Sequence, residues 1–284
     1  MNKTFAAIKQ AALLLRHHPS VALPFVMLAA VEGVVLYLLF LAPQQPFATL
    51  LAPPIERFWG EQYVHYPWHL VKLPELFIPC KILLSFLPGM FLNAVFVGLI
   101  ADVKTGNSTT FWKHFSTSVQ RFFAILVIWG FNLGAIKLFE MPSHRLVMWA
   151  EAHDWLLPAQ LLAHFASFWV QIIWLYTIPL VMLCNASLFR ALCKNFSYLK
   201  RLFLPTSICL LIAALFYLIP FFLGQNMDSL VNRYGPEVIV VFLSLGIFMN
   251  LVVNLWVTAT STLLMLQDES TTLSIYDRTG KASA

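Results

Sequence analysis

Six apolar stretches constrain this chain of 284 residues more than any other feature: 21–42, 76–101, 122–141, 159–183, 202–223 and 238–266. A hydrocarbon core about 30 Å thick takes roughly 20 helical residues to cross, and each stretch is long enough. Lipid offers no partners for backbone N–H and C=O groups, so a crossing segment must be a helix or a strand of a closed barrel. Barrel strands alternate apolar and polar residues over about 10 positions, whereas Val21 to Ala42 shows no such alternation. The reading is an all-α polytopic membrane protein with six transmembrane helices. Composition agrees, because 60% hydrophobic against 11% charged residues lies far outside the range of soluble globular chains.

Orientation follows from arginine and lysine, which are disfavoured on a translocated side. One set of connections and termini carries twelve of them: Lys3, Lys9, Arg16, Lys104, Lys113, Arg121, Arg190, Lys194, Lys200, Arg201, Arg278 and Lys281. The other carries six, Arg57, Lys72, Lys81, Lys137, Arg145 and Arg233, together with most of the acidic residues. The richer side is expected to be cytoplasmic, with both termini on it. The net charge of +5 is then a topological signal rather than a mark of nucleic-acid binding. The first apolar run is too long for a signal-peptide core of about 7–15 residues, so the amino terminus is expected to stay uncleaved. Cys80, Cys184, Cys193 and Cys209 show no C-x-x-C spacing, and no disulfide framework is expected.

A short amphipathic stretch precedes each odd-numbered span: Phe5 to Arg16, Thr110 to Arg121, and Leu188 to Arg201. Such helices lie in the headgroup layer with bases directed to anionic lipid. Lys9, Arg16, Lys113, Arg121, Arg190, Lys194, Lys200 and Arg201 are the lipid-headgroup candidates. The chain then reads as one membrane domain of three units, 1–101, 102–183 and 184–284, each an interfacial helix, a span, an outer loop and a second span. Outside, Phe58, Trp59, Tyr63, Tyr66 and Trp68 mark a loop lying at the membrane boundary, and Arg145 to Trp155 reads as a separate interfacial helix.

The run from Pro179 to Phe196, in which a proline ends a span and a basic amphipathic helix begins at Leu188, resembles the YciC-like bacterial inner-membrane proteins. It is similar also to the membrane domain that precedes some glycerophosphodiester phosphodiesterases. The stretch Gly98 to Phe115, with Lys104-Thr-Gly106-Asn-Ser108 leading into a helix, fits the same pattern, and together the two cover about the middle third of the chain. Those families often carry an acidic residue soon after the proline, where this chain has Asn185. The resemblance implies six helices in a bacterial inner membrane, with no active site carried over.

Glu32 is the sharpest single residue, since a carboxylate near mid-bilayer is costly unless paired, protonated or hydrated. Lys81 and Asn93 on span two are the expected partners. Asn250, Asn254, Thr258 and Ser261 fall on one face of span six, with Asn132 and Gln171 as candidate partners. Pro88–Gly89 should kink span two, because proline removes a backbone hydrogen bond and clashes with the turn before it. Glu61, His65 and His69 would align as metal ligands on a helix, but Pro67 interrupts it, and no metal or cofactor is expected. His17–His18, the group Glu151, His153 and Asp154, and His164 carry no stronger signal. No G-x-S-x-G elbow, phosphate loop or H-E-x-x-H motif occurs.

The function expected from these residues is a non-enzymatic scaffold or lipid-associated partner. Its expected partners are membrane lipids, anionic headgroups at the cytoplasmic face and, as a further candidate, another membrane protein, with no nucleic acid. The alternative is a small-molecule, ion or lipid transporter or permease subunit, and the third reading is an intramembrane enzyme. Reporter fusions at Asn107, Asn195 and Ala284 should all read cytoplasmic; a periplasmic signal at any of them breaks the topology.

Overall fold

Prolines mark the helix boundaries of this chain. Proline has no N–H to donate and its ring displaces the carbonyl four residues back, so within a helix it fits without penalty only in the first turn. In the structure, a computed structural model describing residues 2–108, 110–153, 155–184 and 187–279, prolines sit there repeatedly. Asp154, Asn185, Lys281 and Ala284, and the side chains of Lys3, Glu140, Gln171 and Arg278, lie outside the described residues.

The helices are α1 (Asn2–His17), α2 (Leu23–Leu41), α3 (Ala48–Trp59), α4 (Trp68–Val71), α5 (Leu73–Leu84), α6 (Met90–Thr105) and α7 (Phe111–Gln120). They continue with α8 (Phe122–Glu151), α9 (Leu156–Ile172), α10 (Thr177–Leu183), α11 (Leu188–Phe216), α12 (Leu218–Gln225), α13 (Met227–Tyr234) and α14 (Val238–Thr279). Pro24, Pro74, Pro158, Pro179 and Pro220 each fall on the second or third residue of their helix. Pro205 does the same after a kink at Leu202 (φ −109°, ψ 16°) that divides α11.

Five segments are long and apolar enough to cross a bilayer: Pro19–Leu41, Leu73–Thr105, Phe122–Glu151, Leu188–Gln225 and Val238–Asp268. Their outward faces carry large apolar side chains, among them Phe131, Leu138, Leu204, Leu211, Val241 and Phe248. Water would not tolerate apolar surface on that scale. The chain is an all-α, multi-pass membrane protein.

The expected fourth span, 159–183, is not one helix. It breaks over residues 173–176, leaving α9 and the short α10. Pro179 cannot supply a bond to the turn before it, and the two freed backbone groups are taken up by one side chain: Asn195 Nδ2 donates to the Ile173 carbonyl, and Tyr176 N–H donates to Asn195 Oδ1 at 3.2 Å. The separate interfacial helix expected at Arg145 to Trp155 is also absent, because α8 runs unbroken through Pro142 to Glu151. The expected kink at Pro88–Gly89 takes the form of a π-helical turn, Ser85–Gly89, between α5 and α6. There the wider i→i+5 ring accommodates the missing donor.

Each basic amphipathic stretch is a helix set off from the span that follows. His18 leaves the helical region after α1 (φ −127°, ψ 66°), Arg121 after α7 (φ −103°, ψ 17°), and Leu202 within α11.

The chain alternates between two compact units. The first comprises Met1–Pro24, Met90–Ala214 and Leu255–Ala284; its core gathers Ala7, Ile128, Tyr176, Leu180, Val181, Ala191, Tyr198, Leu202, Leu264 and Met265. Helix α10 sits in the middle of that core with Thr177 and Pro179 to Met182 all buried. The second comprises Phe25–Gly89 and Leu215–Asn254. One of its clusters packs Leu36 on Leu73, Phe77 and Ile247, and another packs Ala42 on Ile55, Tyr63, Val64 and Leu76. Asn195→Ala strands two buried backbone groups at a cost of about 1–3 kcal/mol each. Unfolding in detergent should show that loss, while Cys193→Ala on the exposed face of the same helix leaves the transition where it was.

Candidate functional site

Within the second unit, two helix faces with the same spacing meet. Phe25, Leu28, Ala29 and Glu32 lie at i, i+3, i+4 and i+7 of one face of α2, and Ile247, Asn250, Leu251 and Asn254 repeat that spacing on α14. Together they line a small cavity of about 10 Å³. Glu32 is 1% exposed, and its Oε1 has no hydrogen-bond partner. Lys81 exerts an electrostatic pull on the carboxylate but forms no ion pair with it among the described residues. The expected Glu32–Lys81 bridge is therefore not made.

The two asparagines of this face are organised by a residue the sequence did not single out. Tyr217 donates its hydroxyl to Asn250 Oδ1 at 2.9 Å, and Asn254 Nδ2 donates to the same oxygen at 3.0 Å. Tyr217 stands at the junction before α12, three residues ahead of Pro220, and that proline is the signal that a break turns a side chain there. Asn132 and Asn93 belong to the first unit, where the buried Oδ1 of each has no hydrogen-bond partner. Thr258 and Ser261 also belong to the first unit, where the Ser261 hydroxyl donates to the Thr258 carbonyl at 3.1 Å.

The first unit has its own polar pair. Asp102 near the end of α6 and His114 on α7 meet at 2.6 Å across the Gly106 turn, both buried. A side chain on Gly98 would run into the His114 ring, so the glycine is what lets α7 fold back against α6. Ser118, one turn on, donates to the His114 carbonyl at 2.8 Å. Tyr176 and Thr206 share a hydroxyl–hydroxyl bond beside the Asn195 clamp. These groups are bonded to one another and they read as structural.

Among the basic candidates, Lys9, Arg16, Lys113, Arg190, Lys194 and Lys200 are exposed, and Arg121 is half-buried at the break before α8. Arg201 is engaged by the protein itself, paired with Asp268 at 3.0 Å and lying over the Tyr198 ring. The Glu61, His65 and His69 alignment is not formed. Glu61 lies in a 3-10 turn, His65 is extended (φ −111°, ψ 129°) and His69 begins a fresh helix after Pro67. No group of three His, Cys, Asp or Glu side chains converges to hold a metal among the described residues.

The chain matches no protein-family model, no curated protein and no solved structure.

His69 is buried, and that burial holds its imidazole below the ordinary histidine value, against the opposing pull of Glu237 and of a backbone hydrogen bond at His65. A histidine depressed on folding stays neutral in the native state, so its contribution is fully present above the unfolded pKa of about 6.5 and drains away as pH falls below it. Unfolding of the full chain should shift downward between pH 7.5 and 5.0, and His69→Gln should flatten that part of the profile.

Proposed function

We propose that this is a bacterial inner-membrane protein of YciC-like character, with six passes of which the fourth is broken, and with both termini cytoplasmic. It works as a scaffold or lipid-associated partner that performs no chemistry. One observation carries the reading: each of the three basic helices buries a narrow face and turns an apolar, basic face outward. In α1 the buried face is Thr4, Ala7 and Ala11, in α7 it is His114 and Ser118, and in the first half of α11 it is Ala191, Asn195 and Tyr198. Opposite them stand Phe5 and Leu13, Trp112 and Val119, and Phe189 and Phe196, with Trp112 at 72% and Phe189 at 77% exposed. Lys9, Arg16, Lys113, Arg190, Lys194 and Lys200 are exposed on the same helices.

Aromatic residues favour the headgroup boundary, and each base near an anionic surface contributes about 1 kcal/mol. A helix whose protein-facing side is satisfied and whose free side mixes Phe or Trp with Lys and Arg suits an anionic leaflet. The transporter reading is favoured by one separate observation, the bare Glu32 oxygen beside α14.

The full chain in nanodiscs should unfold at a higher temperature in phosphatidylcholine with phosphatidylglycerol than in phosphatidylcholine alone, and salt should erode the difference. Replacing Lys9, Arg16, Lys194 and Lys200 with glutamine together should remove most of it. Equal stability in both lipids would overturn the lipid-gripping role.

A further inference from the structure

The polar cavity of the second unit has a donor set, a size and a charge that together describe a ligand. Burying a carboxylate in an apolar interior costs several kcal/mol unless a counter-charge or hydrogen bonds compensate. Glu32 is 1% exposed, Lys81 makes no ion pair with it, and Oε1 has no donor. The missing compensation is left to a proton on the carboxyl or to an occupant of the cavity that Glu32 lines. At about 10 Å³ that cavity has room for a single water-sized occupant and none for a small organic molecule, whose pockets begin at roughly 300 Å³. Its polar lining is all oxygen and amide: the Glu32 carboxylate, Asn250 and Asn254.

The hydrogen bonds assign roles to those groups. Asn250 Oδ1 already accepts from Tyr217 and from Asn254 Nδ2, which uses both of its lone pairs and fixes the Asn254 amide by its nitrogen. The Asn254 carbonyl oxygen is thereby left as a neutral donor beside a single carboxylate. Oxygen ligands select hard cations. One negative charge balances one positive charge, whereas divalent ions gather several carboxylates. Tyr217, held by Asn250, and Lys81 are the other titratable groups within electrostatic reach, and a bound cation adds to neither as a counter-ion.

We propose that the Glu32, Asn250 and Asn254 cavity is a binding site for one small monovalent cation of the size of sodium, with a proton on the carboxyl as its competitor. The site joins α2 to α14, so occupancy fastens the first span to the last within this unit.

The test uses the purified full chain in detergent, titrated with sodium chloride against choline chloride at constant ionic strength, at pH 8 and pH 6, with thermal unfolding as the readout. Sodium should raise the transition saturably at pH 8 and act about tenfold more weakly at pH 6, where protons compete. Glu32→Gln keeps the volume, removes the charge and should abolish the sodium response; Asn254→Ala should shift the titration to higher concentration by about tenfold, or about 1.4 kcal/mol. Identical sodium and choline curves at both pH values overturn the proposal, as does a sodium response that survives Glu32→Gln or a response to pH through Glu32 with none to any alkali cation. Should Glu32→Gln fail to fold, the wild-type comparison of sodium with choline and the Asn254→Ala titration decide the matter alone.

Discussion

Every interruption of a helix in lipid must be closed from inside the protein, because the solvent supplies no hydrogen bonds. That constraint organises the first unit. The break ahead of Pro179 frees an N–H and a carbonyl inside the core, and Asn195 reaches back from another helix to satisfy both. Helix α10, short as it is, then serves as the centre of the core, with Tyr176 and Thr206 bonded beneath it. In a continuous helix the Ile173 carbonyl and the Tyr176 N–H would bond along the chain, and Asn195 would have no backbone group to meet there.

The architecture was legible where the physics acts along the chain. Apolar run length gives the helices, and the amphipathic stretches before α2, α8 and the second half of α11 are visible as bases spaced among Phe and Trp. Proline placed the kink at residues 85–89, where the π turn takes up its missing N–H, and marks the divisions at Leu202 and Tyr217, which leave Pro205 and Pro220 in a first turn. What was not legible depends on contacts between distant segments. Nothing local to Asn195 says that it closes a break near residue 175. Nothing local to Asp102 and His114, twelve residues apart, says that Gly98 clears the space for them to meet.

The candidate site divides in the same way. Glu32 stood out as the one acidic residue in the middle of an apolar run, and the i+4 spacing of Asn250 and Asn254 put them on a common face. Their convergence in one cavity follows because α2 and α14 present matching heptad-like faces. Lys81 and Asn132 were reasonable partners by sequence neighbourhood and by type. The hydroxyl that does bond Asn250 belongs to Tyr217, at a helix junction, and nothing local to the sequence but Pro220 marks it. The third-to-fourth connection misled for a different reason: Arg145 to Trp155 was expected as a separate interfacial helix, yet α8 runs on through Pro142 to Glu151.

The cavity's two walls are far apart in the order of synthesis. Glu32 is translated more than 200 residues before Asn250 and Asn254. Throughout that interval the acidic side chain sits in a nascent bundle with no amide of α14 opposite it. A chain interrupted before α14 would stay in that condition, with a bare carboxylate in an apolar segment to mark it for removal.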